Sequence, residues 1–488
     1  MRYQAFCDDS YISQSILAAN METVNWYPER VETPAGKADQ VLYPTPGFQS
    51  FCTAGNNLGG RAMATMNGRT FAVMGGQLGE LSSAQTFAAY GGALAVDQNL
   101  AQLTFNGKTG NQLLASSGGN GYSLALSTNT LTQVLTGKAT QVGMLDGYGI
   151  AFDTTTGRIW LSAINDFTTW DPTQFLARSD APDSWKAMIV VPPDVWMIGS
   201  LSGSILYDAG SFPFPLAPRP GLNFKFGIVA PFSLAVSGYN LMWLSQNPEG
   251  QGIVVRTRGY QPQRVSTYAL EQIIAGYARN FTIGDAEAFM YQDRGHTFYV
   301  LNFPTANATH VYDLDLNKWH KRAYWNGPLN REDAWRPRVH TFAFGQHLTG
   351  DRTTNTIATM DVNYATELDG TSIRRRRRAP GIFSEHRQIP IRNIDVYLES
   401  GTSLQSGQGS DAVFMWQTSD DGGQTWGNQR FQHIGLTGQY NALLRMWGFG
   451  VPRDRVNELI VSDPLNTWRI TDAYINNDAP PQAQGRAR

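Results

Sequence analysis

The chain has 488 residues, of which 42% are hydrophobic and 16% are charged, and its formal net charge is −2. This length exceeds one ordinary hydrophobic core and predicts two domains, or one large repeat array with an appendage. The near-neutral charge excludes a polycation that binds nucleic acid by bulk attraction, so any contact with DNA would need a local basic patch.

The cysteine content and the hydropathy pattern indicate the compartment. Two cysteines, Cys7 and Cys52, exclude a disulfide framework and are typical of a protein kept in a reducing cytosol. The chain starts without the basic and apolar segments of a signal peptide, and no apolar run approaches the roughly 20 residues of a membrane span. We therefore expect a soluble protein without a secretion signal or a membrane span.

Residues 1–48 are irregular and predict an extended N-terminal arm. Prolines interrupt them repeatedly, at Pro28, Pro34, Pro44 and Pro46. Because proline removes a backbone donor, such a segment is a poor candidate for the central strands of a repeat.

Short apolar strands dominate residues 49–385, for example at 71–74, 123–126, 195–198, 241–244 and 298–301. Turn dipeptides that end in glycine lie between them, at Asn67-Gly68, Asn106-Gly107, Thr156-Gly157, Ser202-Gly203, Glu249-Gly250 and Arg294-Gly295. Successive glycines of these turns are 39 to 50 residues apart, and Gly350-Asp351 continues the series less regularly.

This spacing predicts an all-β fold, a β-propeller of six or seven blades over residues 49–385. A period of about 40–50 residues is the length of one four-stranded blade. A sandwich would show turns every 8–12 residues or so without a longer period. A series of unrelated hairpins is the alternative, because no blade motif is copied from unit to unit.

One helix is predicted, over residues 266–278. Ser266 or Thr267 could cap it, and an apolar stripe follows at Leu270, Ile273, Ile274 and Tyr277. We expect this helix to pack against the rim of the propeller.

A run of five arginines precedes the second domain: Arg374, Arg375, Arg376, Arg377 and Arg378. One interpretation is contact with DNA phosphates in a channel, which would be independent of base sequence. The favoured interpretation is a strand whose alternate arginines pair with acidic neighbours such as Glu367 and Asp369, or with a neighbouring subunit. In an extended strand, Arg374, Arg376 and Arg378 would share one face and Arg375 and Arg377 the other.

Residues 386–476 predict a C-terminal antiparallel β-sandwich-like domain, and the Pro-, Ala- and Gln-rich tail at 477–488 predicts disorder. The domain contains an Asp-box pattern, Ser-x-Asp-x-Gly-x-Thr-Trp, formed by Ser419, Asp421, Gly423, Thr425 and Trp426. We expect the Asp421 carboxylate to accept hydrogen bonds from turn amides, Gly423 to adopt positive φ, and Trp426 to cover the hairpin.

No pattern in the sequence indicates catalysis, a cofactor or a metal. The seven histidines have no metal-ligand spacing: His296, His310, His320, His340, His347, His386 and His433. A nucleophile elbow and a Walker-type phosphate loop are also missing from the sequence. A sialidase would need several Asp-boxes, an arginine triad and a Tyr nucleophile, whereas one box is present here. We therefore predict a non-enzymatic protein without a cofactor.

Several short segments along nearly the whole chain share their layout with a known family: Asn25-Trp26-Tyr27-Pro28-Glu29, Pro44-Thr45-Pro46-Gly47-Phe48, Trp160-Leu161-Ser162, Asp166-Phe167-Thr168-Thr169-Trp170-Asp171, Gly350-Asp351, Asp361, Leu368-Asp369-Gly370 and the end that carries the Asp-box. In this layout the chain resembles the packaged-DNA stabilisation proteins of short-tailed bacteriophages, also called head-completion or tail-hub proteins.

The resemblance implies a structural virion protein that is assembled in the host cytoplasm and lies at the head–tail junction. Such proteins form a ring, typically of six copies, below the portal and its adaptor. The ring retains the packaged double-stranded DNA, which it could contact non-specifically, and docks the tail needle and the tail fibres or spikes. No residue inherits a role from the family.

Two other functions compete with this connector. One is a carbohydrate-binding or sialidase-like propeller protein of a phage tail, which the Asp-box suggests. The other is a propeller scaffold of a cell.

Overall fold

Antiparallel hairpins build nearly all of the protein. The computed structural model describes residues 1–33, 35–55, 58–247, 249–385 and 387–477. His386 and residues 478–488, which include most of the tail expected to be disordered, lie outside the described residues.

Seven antiparallel units of four strands follow one another in the described part of the chain, and each is a propeller blade. Six of them are separate sheets, and the sixth unit is part of a 12-stranded sheet. Blade 1 contains Gly60–Met66, Arg69–Met74, Gln77–Ser82 and Thr86–Ala89. Blade 2 contains Gln102–Phe105, Gln112–Ser117, Asn120–Ala125 and Thr130–Leu135. Blade 3 contains Gln141–Leu145, Tyr148–Asp153, Arg158–Ala163 and Asp166–Trp170, with the short strand Leu176–Ala177. Blade 4 contains Trp185–Val191, Asp194–Gly199, Gly203–Asp208 and Leu216–Phe224. Blade 5 contains Ala235–Ser237, Asn240–Gln246, Gly252–Arg258 and Gln261–Arg264.

Blades 6 and 7 complete the disc. Blade 6 contains Glu287–Asp293, His296–Phe303, Ala308–Asp313 and Lys318–Asn326, and the last of these also pairs with Arg331–Ala334. Blade 7 takes three strands from Pro337–Ala343, Gln346–Asp351 and Thr356–Asp361, and its outer strand, Gly47–Thr53, from the start of the chain. The inner strand of blade 7 lies beside that of blade 1, so the ring is closed.

The glycine turns mark one hairpin in each of blades 1 to 6, but not the same hairpin throughout. In blades 1, 2 and 6 they join the first and second strands, whereas in blades 3, 4 and 5 they join the second and third. The change between blades 2 and 3 accounts for the longest interval, 50 residues, and Gly350-Asp351 lies within the strand Gln346–Asp351 of blade 7. The prediction of an all-β propeller is confirmed, with seven blades.

A β-sandwich adjoins the propeller and shares a sheet with blade 6. The last strand of blade 6 pairs in parallel with Asn20–Val24, through Val24 and Lys321. The sheet continues through Arg375–Arg378, Asp454–Val461 and Val413–Ser419 to Arg430–His433, with Tyr11–Ile12 and Ile382–Phe383 as short additions. The second sheet has the order Trp26–Arg30, Gln40–Pro44, Ile470–Ile475, Asn393–Leu398 and Arg445–Trp447.

The expectation of an extended arm over residues 1–48 is therefore wrong. Four of its segments are strands of the sandwich sheets, and Trp26 is fully buried in the sandwich core, where its Nε1 donates to the carbonyl of Trp468 at 2.7 Å. The strands of the propeller end at Asp361, and the sandwich already includes Arg375–Arg378, ahead of the boundary expected at 385.

The predicted helix is present at Tyr268–Asn280, two residues later than expected. The described residues also form a short turn of helix at Gly107–Gly110 and a 3₁₀ turn at Pro231–Ser233. Thr267 is the N-cap of the helix at Tyr268–Asn280, and its hydroxyl accepts a hydrogen bond from the amide of Leu270 at 3.3 Å. Leu270 and Ile274 are buried in a core shared with blades 5 and 6, so the helix packs on the propeller as predicted.

Candidate functional site at the arginine strand and the propeller channel

The arginine run forms a central strand of the sheet that joins the propeller to the sandwich. Arg376, Arg377 and Arg378 pair with Val24, Thr23 and Glu22 on one side, and all four arginines of Arg375–Arg378 pair with Asp454–Val461 on the other. Neighbouring side chains therefore point to opposite faces of the sheet, as the sequence predicts.

Arg376 is the centre of a buried ionic network on the first face. Its guanidinium donates to Glu22 at 2.6 Å, to Glu332 at 2.9 and 3.1 Å and to Glu458 at 3.0 Å. Arg378 donates to Glu458 at 2.9 Å, and Lys321 donates to Glu332 at 2.8 Å. Glu22 and Glu458 lie in sandwich strands, and Glu332 lies in Arg331–Ala334, which pairs with the last strand of blade 6, so the network links the propeller to the sandwich.

The neighbouring cations keep Glu22 and Glu332 ionised. Burial alone would raise the pKa of Glu332, but Arg376 and Lys321 outweigh it and lower that pKa to about 2. The pKa of Glu22 is likewise held well below its usual range, against burial, by Arg376, Lys321 and Arg378. Arg374 lies at the edge of the network, 3.6 Å from Glu332, with its guanidinium over the ring of Trp325 at 4.0 Å.

On the second face of the strand, Arg377 binds the first residues of the chain. The guanidinium of Arg377 donates to the carbonyls of Ala5, Phe6 and Asp9 at 2.6 to 2.9 Å and to the hydroxyl of Thr23 at 2.6 Å. Arg375 is fully buried near Glu367, and burial lowers the pKa of Arg375 to about 10 and raises that of Glu367 to about 8.

The prediction that this run lines a DNA channel or a subunit seam is therefore wrong. Arg375, Arg376 and Arg377 are buried, and the guanidinium groups of the run are directed at partners inside the same chain. Pairing with acidic neighbours is the better interpretation, although the partners are mainly Glu22, Glu332 and Glu458. Asp369 instead lies 3.3 Å from Arg336.

The hairpin with the Asp-box pattern has the local geometry that the pattern predicts. Asp421 accepts hydrogen bonds from the amides of Gln424 and Thr425 at 2.9 Å and from the Ser419 hydroxyl at 2.6 Å. Gly423 has a φ of +100°, and the half-buried Trp426 lies against the guanidinium of Arg378 at 5.1 Å. The hydrogen bonds from Ser419 and Thr425 hold the pKa of Asp421 well below its usual range.

The inner strands of the propeller surround a central channel with a cavity of about 370 Å³. Polar side chains near the start of these strands connect successive blades. The side-chain Oε1 of Gln102 accepts from the amide of Val142 at 3.1 Å, and the side-chain Oε1 of Gln141 accepts from the amide of Met188 at 2.7 Å. Arg338 of blade 7 pairs with Glu287 of blade 6. These contacts hold the blades in a fixed ring.

A second group of contacts ties the loop between blades 1 and 2 to two arginines that line the channel. Arg61 of blade 1 pairs with Asp97 and donates to the Ser117 hydroxyl of blade 2 at 2.6 Å. Arg338 of blade 7 donates to the carbonyl of Gln98, so the loop is bonded to blades 1 and 7. The sequence analysis missed these residues because no blade motif repeats. Arg61, Gln102 and Gln141, at intervals of 41 and 39 residues, were the available signal.

Two further histidine contacts lie near blades 6 and 7. His340 lines the channel with its Nε2 atom 3.0 Å from Nδ1 of His347, and burial lowers the pKa of His340 to about 3, so the pair is neutral. His296 lies between Asp313, at 2.6 Å, and Glu29 of the sandwich, at 3.4 Å. Burial would lower the pKa of His296, but the two carboxylates outweigh it and raise that pKa above its ordinary value.

Across the described ranges, no three His, Cys, Asp or Glu side chains are grouped closely enough to hold a metal ion. No helix in those ranges is long and apolar enough to cross a membrane.

Comparison with solved structures gives only distant likenesses. The computationally designed Ika8 protein has a TM-score of 0.38 at 8% identity, covering 64% of this chain and 99% of that one. The N-terminal domain of Nup159 has a TM-score of 0.38 at 9% identity, and the match covers 68% of this chain and 97% of that one. The Neurospora crassa Pan2 WD40 domain has a TM-score of 0.39 at 9% identity, and the match covers 64% of this chain and 94% of that one. These TM-scores are too low to support a functional assignment.

The sequence comparisons are more specific. No curated protein matches the chain. A family model for phage stabilisation proteins, described as bacteriophage P22 Gp10, β-propeller, matches residues 19–365. The match begins at the strand Asn20–Val24 and ends just after the last strand of blade 7, so it includes all seven blades. The chain therefore belongs to the phage stabilisation family typified by the β-propeller protein Gp10 of bacteriophage P22.

Proposed function

We propose that this protein is a head-to-tail connector of a phage particle. It assembles as a ring, typically of six copies, below the portal and adaptor proteins, retains the packaged genome and docks the tail needle and the tail fibres or spikes. The observation that carries this proposal is the family match over residues 19–365, because the family consists of phage structural stabilisation proteins. The position at the head–tail junction, the copy number and the partners are proposed from the same resemblance.

The internal ties favour a scaffold that keeps its shape. The blades are joined around the channel by Gln102, Gln141 and the pair of Arg338 with Glu287, and the propeller is joined to the sandwich by the network of Arg376. Buried and fully paired polar networks fix one arrangement of the surrounding elements. A plug that resists the pressure of packaged DNA needs this kind of rigidity, so we propose that the protein acts without catalysis.

The dimensions of the channel indicate where the DNA would lie. A cavity of about 370 Å³ has the size of a small-molecule pocket. The major groove of B-DNA alone is about 12 Å wide. A duplex therefore does not fit through the propeller, and the proposed ring would hold the genome in an opening between copies.

The carbohydrate interpretation gains no support. The Asp-box hairpin lies in the sandwich, and its carboxylate is bound within its own turn. We therefore do not propose a second function.

A reconstitution experiment tests the connector. The purified chain is mixed with portal–adaptor complexes, and the number of bound copies is counted by native mass spectrometry and by electron microscopy. We expect a closed ring on the adaptor, and particles made without the protein should lose their DNA. Absence of binding, or stable DNA retention without the protein, would refute the proposal.

A further inference from the structure

The outer edge of the sandwich is the part of the fold that lies farthest from the propeller. Along the shared sheet, Arg430–His433 comes five strands after the last strand of blade 6, which corresponds to about 24 Å. Arg445–Trp447 ends the second sheet on the same side, since Arg430 donates to the carbonyls of Trp447 and Gly448 at 2.8 and 3.0 Å. Within the described residues, no strand pairs with the free side of either one.

This edge exposes large apolar side chains together with arginines. Trp447 and Phe431 are both 61% exposed, and Val451 is 53% exposed. The loop at 448–452 is bonded to 389–392, which places the exposed Arg392 and Arg453 beside them. We call Arg392, Arg430, Phe431, Trp447, Val451 and Arg453 the edge surface. Exposed Trp and Arg side chains in one patch are the composition of a protein–protein contact, whereas a phosphate backbone offers the apolar members no partner.

A groove of complementary character lies on the propeller between blades 3 and 4. It has a volume of about 420 Å³, and Leu161, Phe214 and the 95% exposed Phe212 contribute to its lining. Asp171 is the one charged residue in the lining. Two more carboxylates lie beside the lining, since Asp166 accepts from the Thr169 hydroxyl at 2.6 Å and Asp208 accepts from the amide of Gly210 at 2.8 Å. The groove therefore combines exposed apolar side chains with three carboxylates.

The positions of the two surfaces suit contact between copies. The sandwich extends from blade 6, and the groove lies two and a half blades away, about 130° around a seven-bladed disc. One chain cannot join a projecting edge to a groove so far around its own disc, but two copies can. A contact between different surfaces of identical chains is heterologous, and it generates a ring when its rotation closes.

We propose that the edge surface of one copy docks into the groove between blades 3 and 4 of the next copy, and that this contact forms the ring. Trp447, Phe431 and Val451 meet the apolar lining with Phe212, while Arg392 and Arg453 meet the acidic surface around Asp171. The inference rests on the proposed function, because it names the partner as a second copy of this chain.

Two variants that alter only exposed residues test it: an edge variant, Arg453→Glu with Trp447→Ser, and a groove variant, Asp171→Lys with Phe212→Ser. Native mass spectrometry counts copies on portal–adaptor complexes. We expect each variant alone to lose at least tenfold in apparent affinity for neighbouring copies. A 1:1 mixture of the two should form pairs, because the groove of the edge variant and the edge of the groove variant are both intact.

The controls distinguish this inference from the proposed function. Tyr239→Ser on blade 5 and Arg279→Glu on the helix alter residues of similar exposure elsewhere and should leave ring formation unchanged. Unchanged circular dichroism and melting would show that the variants fold. If the wild-type ring forms and both variants also form it, or if the mixture forms no pairs, the inference is overturned while the connector stands. If the wild-type chain never joins the portal–adaptor complex, both are refuted.

Discussion

Replacing Arg376 by methionine should destabilise the junction of propeller and sandwich far more than the same change at Arg374. Arg376 makes four charged hydrogen bonds to three carboxylates, of which Glu22 and Glu458 are buried and Glu332 is half-buried. Removing one partner of a buried ion pair costs about 3–5 kcal/mol. Because Lys321 and Arg378 remain beside Glu332 and Glu458, we expect a value at the lower end, about 3 kcal/mol.

Arg374→Met is the matched control, since it changes the same residue type in the same run. Arg374 has a single ion pair at 3.6 Å and a stacking contact with Trp325. A partly exposed ion pair and a cation–π contact contribute about 1 kcal/mol together. The two variants should therefore differ by about 2 kcal/mol.

Hydrogen exchange measures this difference locally, as the free energy of opening of the strand Asp454–Val461, which pairs directly with the arginine strand. The pH dependence gives a second readout. Arg376 helps to hold the pKa of Glu332 at about 2, below the unfolded value of about 4.3, so this stabilisation is present above pH 4.3 and is lost as the pH falls through 2. The difference in the free energy of opening between wild type and Arg376→Met should therefore decrease as the pH falls from 4.3 to 2. Equal costs for the two variants, or a gap that does not change with pH, would refute the reasoning.

Three further predictions follow from other contacts. Asp313 and Glu29 raise the pKa of His296 in the folded state, so the stabilisation that protonated His296 contributes is complete below about pH 6.5 and is lost as the pH rises through the folded pKa. His296→Gln should therefore abolish this pH dependence of the melting temperature, and an unchanged dependence would contradict the prediction. A Cβ on Gly143 would lie 2.3 Å from Cγ2 of Val190, so Gly143→Ala should cost about 1–3 kcal/mol in urea unfolding, and Val190→Ala should restore much of it. Asp421→Ala removes the acceptor of the hairpin amides and should speed proteolysis within 419–427 while the melting of the propeller stays unchanged; equal cleavage rates would count against this role.

The fold class could be predicted from local signals, whereas the junction could not. Alternating strands and glycine turns are set by residues that are near in sequence, and they were sufficient for the propeller and for the helix at Tyr268–Asn280. Val24 pairs with Lys321 and with Arg376, some 300 and 350 residues away, and no local pattern encodes such a partner. The prolines at Pro28 and Pro44 also suggested an irregular arm, although both lie in strands.

The arginine run shows the same limit for the candidate site. Its charge is evident in the sequence, but its burial depends on Glu22, Glu332 and Glu458, which come from three distant segments. Without knowledge of those partners, five adjacent arginines are expected to be exposed to solvent. The channel residues Arg61, Gln102 and Gln141 could not be singled out in the sequence, because each is an ordinary polar residue there. Their role depends on bonds to the following blade, which form only when the ring is folded.

The strand Gly47–Thr53 belongs to blade 7, and its partner, Thr356–Asp361, is synthesised about 300 residues later. At 5–20 residues per second, the ribosome needs roughly 15–60 s to supply that partner. During this interval the nascent polypeptide carries an unpaired strand that is open to premature association. The ring of blades therefore cannot close until residue 361 has been synthesised, about three quarters of the way along the sequence.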